Sequence, residues 1–294
     1  MDTGFGRYHP AVNFIFFLLA IVSGMFFLHP AVVVISMVAS LLYYLLLRGR
    51  KGLKFIASMV LVSVIVMLLN PLLNQMGHTV LFTYFGGRIF TLEALLYGVT
   101  NGAMLLSVML WFACYNQVVS SDKFLYLFGG LAPSVSLLLS MVLRLVPGMQ
   151  KKAAMIAAAR ASVGKAPVNG TRKQQLAHSA DILSVLTAWS LEGAIITADS
   201  MRSRGFGSDR RTTFSIYRFH IRDAVALGIM AVLAAVFLAG GLTGSLQIEF
   251  YPTVTLPDAG FRIPALLGYS ALLLLPSGIH IWEELSWRTF RSKI

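Results

Sequence analysis

Charge is scarce in this sequence. Only 12% of its 294 residues are Asp, Glu, Lys or Arg, about half of the ~25% typical of a soluble domain. That leaves too little polar surface to cover a water-soluble globule. With 57% hydrophobic residues and a mean hydropathy of +0.75, the composition points away from a soluble enzyme and toward the membrane class. Acids are scarcer than bases, 12 against 24, for a net charge of +12. In a soluble protein that excess would indicate nucleic acid. Here the basic residues flank or lie between apolar runs, which is a membrane-topology pattern. No stretch interleaves basic and aromatic residues as a nucleic-acid groove does, so no nucleic-acid partner is expected.

Cysteine is nearly absent. The one cysteine, Cys114, lies inside an apolar run, so it forms no internal disulfide or Cys-based metal site and reads as a small packed residue. Catalytic motifs are missing too. Gly164-Lys165 lacks both the preceding glycine spacing and the following Ser or Thr of a Walker A loop, so ATP hydrolysis by that route is not expected of this chain. There is no His-Glu-x-x-His, no Gly-x-Ser-x-Gly and no Cys/His cluster. The six histidines are scattered, with His29 and His78 expected at the outer surface. No apolar run carries the paired carboxylates of an ion relay. No bound cofactor or metal is expected. A cleavable signal peptide is not expected either, because the apolar stretch Ala11–Leu47 far exceeds a signal h-region.

Long apolar runs are what the sequence has in abundance. A membrane-crossing helix needs about 20 apolar residues. Ala11–Leu47 is too long for one crossing and is divided by His29-Pro30, since proline disfavours helix in the residue before it. This gives Ala11–Leu28 and Ala31–Leu47. Phe55–Leu69 follows, extending toward Leu73, then Leu92–Val119, and near the C-terminus Ala224–Leu242 and Ile263–Ile281. The expected fold is all-α integral membrane: about four spans within residues 1–119, a helical region over 120–222, and about two spans within 223–294.

Two further runs, Phe124–Val146 and Ile182–Ala198, are ambiguous, and the positive-inside rule weighs on them. With six spans and the N-terminus inside, the outer loops Met76–Thr91 and Thr243–Arg262 hold two of the 24 basic residues, Arg88 and Arg262. Arg48, Arg50, Lys51 and Lys54, and at the other end Arg288, Arg291 and Lys293, then face the cytoplasm, as do both termini. If both ambiguous runs also crossed, Pro147–Asp181 would face outward with Lys151, Lys152, Arg160, Lys165, Arg172 and Lys173, against the rule. Gly129, Gly130 and Pro133 also interrupt the first run. The expectation is therefore helices at or under the inner membrane surface: one capped by Ser120 and Ser121, a second opened by Pro147 and ended by Gly164, Pro167 and Gly170, and a third from about Leu176 to Arg204 ended by Gly205.

Three groups of residues carry a family likeness. The first is Asn70-Pro71-Leu72-Leu73, then Gly77, Leu81-Phe82 and Thr91-Leu92-Glu93-Ala94-Leu95-Leu96-Tyr97-Gly98. The second is Leu143-Arg144-Leu145-Val146-Pro147. The third is Met201-Arg202-Ser203-Arg204-Gly205-Phe206, preceded by Ala159-Arg160-Ala161. In this order and spacing the chain resembles the transmembrane T component of energy-coupling factor (ECF) transporters, the EcfT/CbiQ family, from about Asn70 to Phe206. The resemblance implies a subunit without catalysis of its own. It would couple two cytoplasmic ABC-type ATPases, which bind the ATP, to a small membrane S component that binds the substrate, a vitamin or a transition-metal ion. It further implies that Arg160 and Arg204, each the centre of an Ala-Arg-Gly-like triplet, dock in the two ATPases. Ala161 stands where glycine is common, and Ser203 where alanine is. Arg144, Pro147, Asn70 and Pro71 are implied structural or coupling residues.

Independent of the likeness, arginine suits an anchor under load. It is always charged and offers five donors in a rigid fork, and with a carboxylate it forms a bidentate, charge-assisted contact. The small flanking residues Ala159, Ala161, Ser203 and Gly205 permit close approach. Cations in the last turn of a helix also interact favourably with its dipole whatever their role. Two rival readings stand beside the coupling subunit. An integral-membrane enzyme would draw on Asp181, Glu192 and Asp199, which share roughly one helical face. A self-sufficient secondary transporter would show matching halves, and none is visible.

Overall fold

The computed structural model describes residues 4–74, 77, 79–84, 88–129, 132–165, 171–207, 217–248 and 260–291. The helices in chain order are α1 (Pro10–Phe26), α2 (Pro30–Arg48), α3 (Leu53–Leu73), α4 (Leu92–Val118), α5 (Ser121–Gly129), α6 (Pro133–Ser162), α7 (Arg172–Ser203), α8 (Ile221–Leu242) and α9 (Arg262–Arg291). Each of the six apolar runs expected to span is a helix. Among the described residues five helical segments are long and apolar enough to cross a membrane: Pro30–Leu73, which joins α2 and α3, together with α4, α7, α8 and Arg262–Trp287 of α9. The chain is an all-α integral, multi-pass membrane protein. It forms two compact units, one of residues 1–124 and 217–294, the other of Leu125–Ile216.

In the first unit the helix starts follow from local chemistry. α1 and α2 both open on His-Pro. Proline occupies the first helical position, where its missing N–H costs nothing. The preceding imidazole caps: His9 Nδ1 accepts from the Ala11 N–H at 3.3 Å and His29 Nδ1 from the Ala31 N–H at 3.1 Å. His29 is buried, and His78 lies outside the described residues. α8 begins with Asp223, a buried acid in its first turn. Its two oxygens accept the His220 N–H at 2.8 Å and the His9 N–H at 3.1 Å, so one carboxylate ties the starts of α1 and α8 together.

α4 is the central helix, packed on α1, α2 and α3, while α9 packs on α2 and α8. Helices in a bilayer gain little from burying apolar groups against one another. Close packing and interhelical hydrogen bonds hold them instead. Trp111 of α4 meets Phe16, Phe17 and Tyr43 at ring-centroid distances of 5.6, 6.2 and 6.3 Å. Its Nε1 donates to Ser36 Oγ at 3.1 Å, and Ser36 reaches Ser107 at 3.4 Å. On the other side Tyr269 stacks on Phe237 at 4.4 Å and its hydroxyl meets Ser23 Oγ at 3.3 Å. α3 approaches α4 through glycine: a Cβ at Gly98 would lie 2.7 Å from the Met67 carbonyl oxygen, and one at Gly102 would lie 2.9 Å from that of Ser63.

Between α3 and α4 the chain forms an antiparallel hairpin, β1 (Val80–Tyr84) and β2 (Arg88–Thr91), with Val80 opposite Thr91 and Tyr84 opposite Arg88. The loop expected over Met76–Thr91 therefore contains strands. Their sequence signal is a β-branched and aromatic run on either side of Gly86-Gly87. Glu93 sits in the first turn of α4, as its charge favours, and is buried. It accepts the Thr79 N–H at 3.2 Å and also the Thr79 hydroxyl. Gly77 has a φ of 136°, and a Cβ there would meet the Glu93 carboxylate.

The second unit consists mainly of α6 and α7. Here the sequence reading needs correction: Pro147 does not open a helix. α6 starts at Pro133 and runs 30 residues with Pro147 in its interior. Pro133 is the proline at the helix start, and the apolar stretch before Pro147 and the alanine-rich stretch after it are one helix. Proline at this position removes one i→i−4 bond without ending the helix. No side chain of α5, α6 or α7 is buried, although α7 is apolar enough to cross a membrane by length and composition.

Candidate functional site

The candidate site is at the ends of α6 and α7, and both ends are built the same way. After α6 the chain turns at Gly164, whose φ is 71°. The Gly164 N–H donates to the Ala161 carbonyl at 3.0 Å and the Lys165 N–H to the Arg160 carbonyl at 2.9 Å. After α7 it turns at Gly205, φ 79°. The Gly205 N–H donates to the Arg202 carbonyl at 3.0 Å and the Phe206 N–H to the Met201 carbonyl at 3.0 Å. Each is the paired bond pattern of a glycine-terminated helix, in which the left-handed residue lets the chain satisfy its last carbonyls. Gly205 ends α7 where the sequence pointed. The expected linker glycine Gly164 ends α6, while Pro167 and Gly170 lie outside the described residues.

The two triplets sit differently on these ends. Arg204 directly precedes its terminating glycine. Arg160 lies four residues before Gly164, inside the last turn. Ala161 can replace glycine because the glycine needed to end the helix is supplied further on. At α7, Ser203 closes its hydroxyl on the Ser200 carbonyl at 3.0 Å. Arg204 is exposed and has no hydrogen bond or ion pair to another side chain among the described residues.

Arg160 is held. Its Nη2 lies 2.5 Å from Asp181 Oδ2 on α7; the side chains are 24% and 58% exposed. Its Nε is buried with no hydrogen-bond partner. Ala159 and Ala161 beside it are exposed. Around Arg160 opens a groove of about 500 Å³ lined by Met155, Ile156, Ala159, Val163, Lys165 and Trp189. Lys152 sits over the Trp189 ring, 4.9 Å from its centroid, a cation–π contact.

From Asp181, beside Arg160, to Arg204 is 23 residues of helix, about 34 Å at 1.5 Å per residue. The two arginines are thus far apart, at separate points of one unit. Arg144 and Pro147 are exposed on α6, Arg144 about 24 Å along the helix from Arg160. Asn70 and Pro71 belong to the other unit, in the last turns of α3. They pack at Gly98, and Asn70 Oδ1 accepts from Asn74 Nδ2 at 2.8 Å. Glu192 and Asp199 are exposed, as Asp181 is, and among the described residues no group of three or more His, Cys, Asp or Glu could hold a metal ion. Sequence reasoning missed the pairing of Asp181 with Arg160, since a separation of 21 positions carries no linear signal, and the groove around Trp189.

No protein-family model matches the chain. One relative does. Over 105 residues the chain is 34% identical to the energy-coupling factor transporter transmembrane protein EcfT of Lacticaseibacillus paracasei, a match that covers 35% of this chain and 40% of the relative. The chain is therefore similar, over about a third of its length, to the membrane component of an energy-coupling transporter.

Proposed function

We propose that the chain is the energy-coupling membrane subunit of an ECF-type ABC importer. It links two cytoplasmic ATPases to a small membrane S component for uptake of a vitamin or a transition-metal ion, and performs no catalysis itself. The observation that carries the reading is the second unit. It interrupts a membrane-spanning body, leaves every side chain of α5–α7 unburied, and carries one arginine in the last turn of α6 and one at the C-cap of α7, the two about 34 Å apart. The 34% identity to an EcfT protein supports it.

In this reading α1–α4, α8 and α9 span the membrane with both termini in the cytoplasm, and α5–α7 lie on the cytoplasmic side. Arg204 presents a free guanidinium to one ATPase and Arg160 reaches the other, with Ala159, Ala161, Ser203 and Gly205 allowing close approach. The ATPases bind and hydrolyse ATP, and their closure moves the two arginine-bearing ends. α6 and α7 carry that motion to the surface that holds the S component, and the substrate is released inward. The placement of Arg144 and Pro147 along α6 suits a part in transmitting it. The test is an Arg160→Glu, Arg204→Glu double variant in its native membrane. It is expected to lose both co-purification of the ATPases and uptake, and full uptake by this variant would refute the reading.

A further inference from the structure

Arg160 differs from Arg204 in one respect that the sequence does not show: it already has an acid. Asp181 meets it at 2.5 Å across the helix pair, yet is itself 58% exposed, so the pair is open to solvent and to exchange. Exposed pairs of this kind are weak. The guanidinium has more donors than one carboxylate oxygen uses, and its buried Nε has no hydrogen-bond partner. Beside it lies the apolar groove of Met155, Ile156, Val163 and Trp189, with Lys152 and Lys165 close by. The surface is apolar at the centre and cationic at its edges.

We propose that this groove is a docking surface for a partner segment presenting a large apolar side chain beside a carboxylate, and that Asp181 occupies, in the free chain, the place of that carboxylate. The apolar side chain enters between Ile156, Val163 and Trp189. The incoming acid displaces Asp181 from Arg160 and reaches the unused donors of the fork. Charge complementarity selects the occupant: Lys152, Arg160 and Lys165 line or flank the groove, with Asp181 the acid paired there. The inference rests on the coupling assignment above, and the partner is then one of the ATPases. Asp181 makes the docking contact conditional, because Arg160 leaves its own chain only for a better acid.

The experiment compares the full-length tagged chain with Asp181→Asn, purified from native membranes with the ATPases it recovers. The affinity of those ATPases is then measured over a salt series. Asp181→Asn removes the competing charge at nearly constant volume, so the ATPases should bind about two- to fivefold more tightly and withstand higher salt. Arg160→Ala, Asp181→Asn should show no such gain, since Asp181 acts only through Arg160. A photo-crosslinker at Trp189 should join an ATPase segment that contains Asp or Glu. Unchanged or weaker binding by a monodisperse Asp181→Asn chain, or a crosslink to a segment without acids, overturns the docking surface while the coupling role stands. If the wild-type chain recovers no ABC-type ATPase, both fall.

Discussion

His9 and His29 solve one local problem with an unusual residue. A helix that begins with proline still has free N–H groups in its first turn, and an imidazole accepts one only while its Nδ1 carries no proton. Burial lowers the pKa of both histidines. The Asp223 charge opposes this at His9, and the Arg262 charge reinforces it at His29. The unfolded chain takes up these protons near the ordinary value of 6.5, and the folded chain resists them. The contribution to stability is therefore complete above that value and is lost as pH falls through the lowered folded values. Thermal unfolding in detergent should shift downward between about pH 7.5 and 5.5. His29→Asn, which caps without titrating, should shift less. His29→Ala should cost about 1 kcal/mol at neutral pH.

At the scale of elements, α3 and α4 depend on close backbone approach. Gly98→Ala puts a methyl group 2.7 Å from the Met67 carbonyl oxygen, and a carbonyl within a helix cannot step aside alone. The cost expected is about 1–3 kcal/mol, as for other overpacked sites. Gly228→Ala in α8 meets nothing within 4 Å and should be neutral or stabilising by up to about 1 kcal/mol. Thermal denaturation of the two variants in the same detergent checks the contrast.

Apolar run length located the helices from sequence, because the bilayer demands a minimum length and little else. It did not locate their contacts. Nothing in the order of residues says that Gly98 faces Met67 or that Asp181 faces Arg160. Pro147 does not mark a helix start because Pro133 has already begun the helix fourteen positions earlier. The hairpin does not show in hydropathy; its signal is the β-branched and aromatic residues on either side of Gly86-Gly87.

At the scale of the molecule, the two units should differ in protection. Backbone amides are shielded where surrounding side chains are buried. α4 has eleven buried residues, whereas α6 and α7 have none. Hydrogen–deuterium exchange in detergent should be markedly faster through α6 and α7 than through α4, and should slow in α6 and α7 when the ATPases bind. Exchange in α7 as slow as that in α4, without partners, would mean that α7 crosses the membrane.

Asp223 joins residues 214 positions apart by accepting the His9 backbone N–H. During synthesis this bond cannot form until α8 has emerged, and by then α5, α6 and α7 have already been made. The first helices must wait in the membrane in an unclosed arrangement while the apolar helices of the second unit are translated. Biogenesis thus passes through a stage in which neither unit is complete. A chain stopped before α8 would be left without the carboxylate that closes its first helix, and would be expected to fall to membrane quality control rather than persist as a half-assembled body.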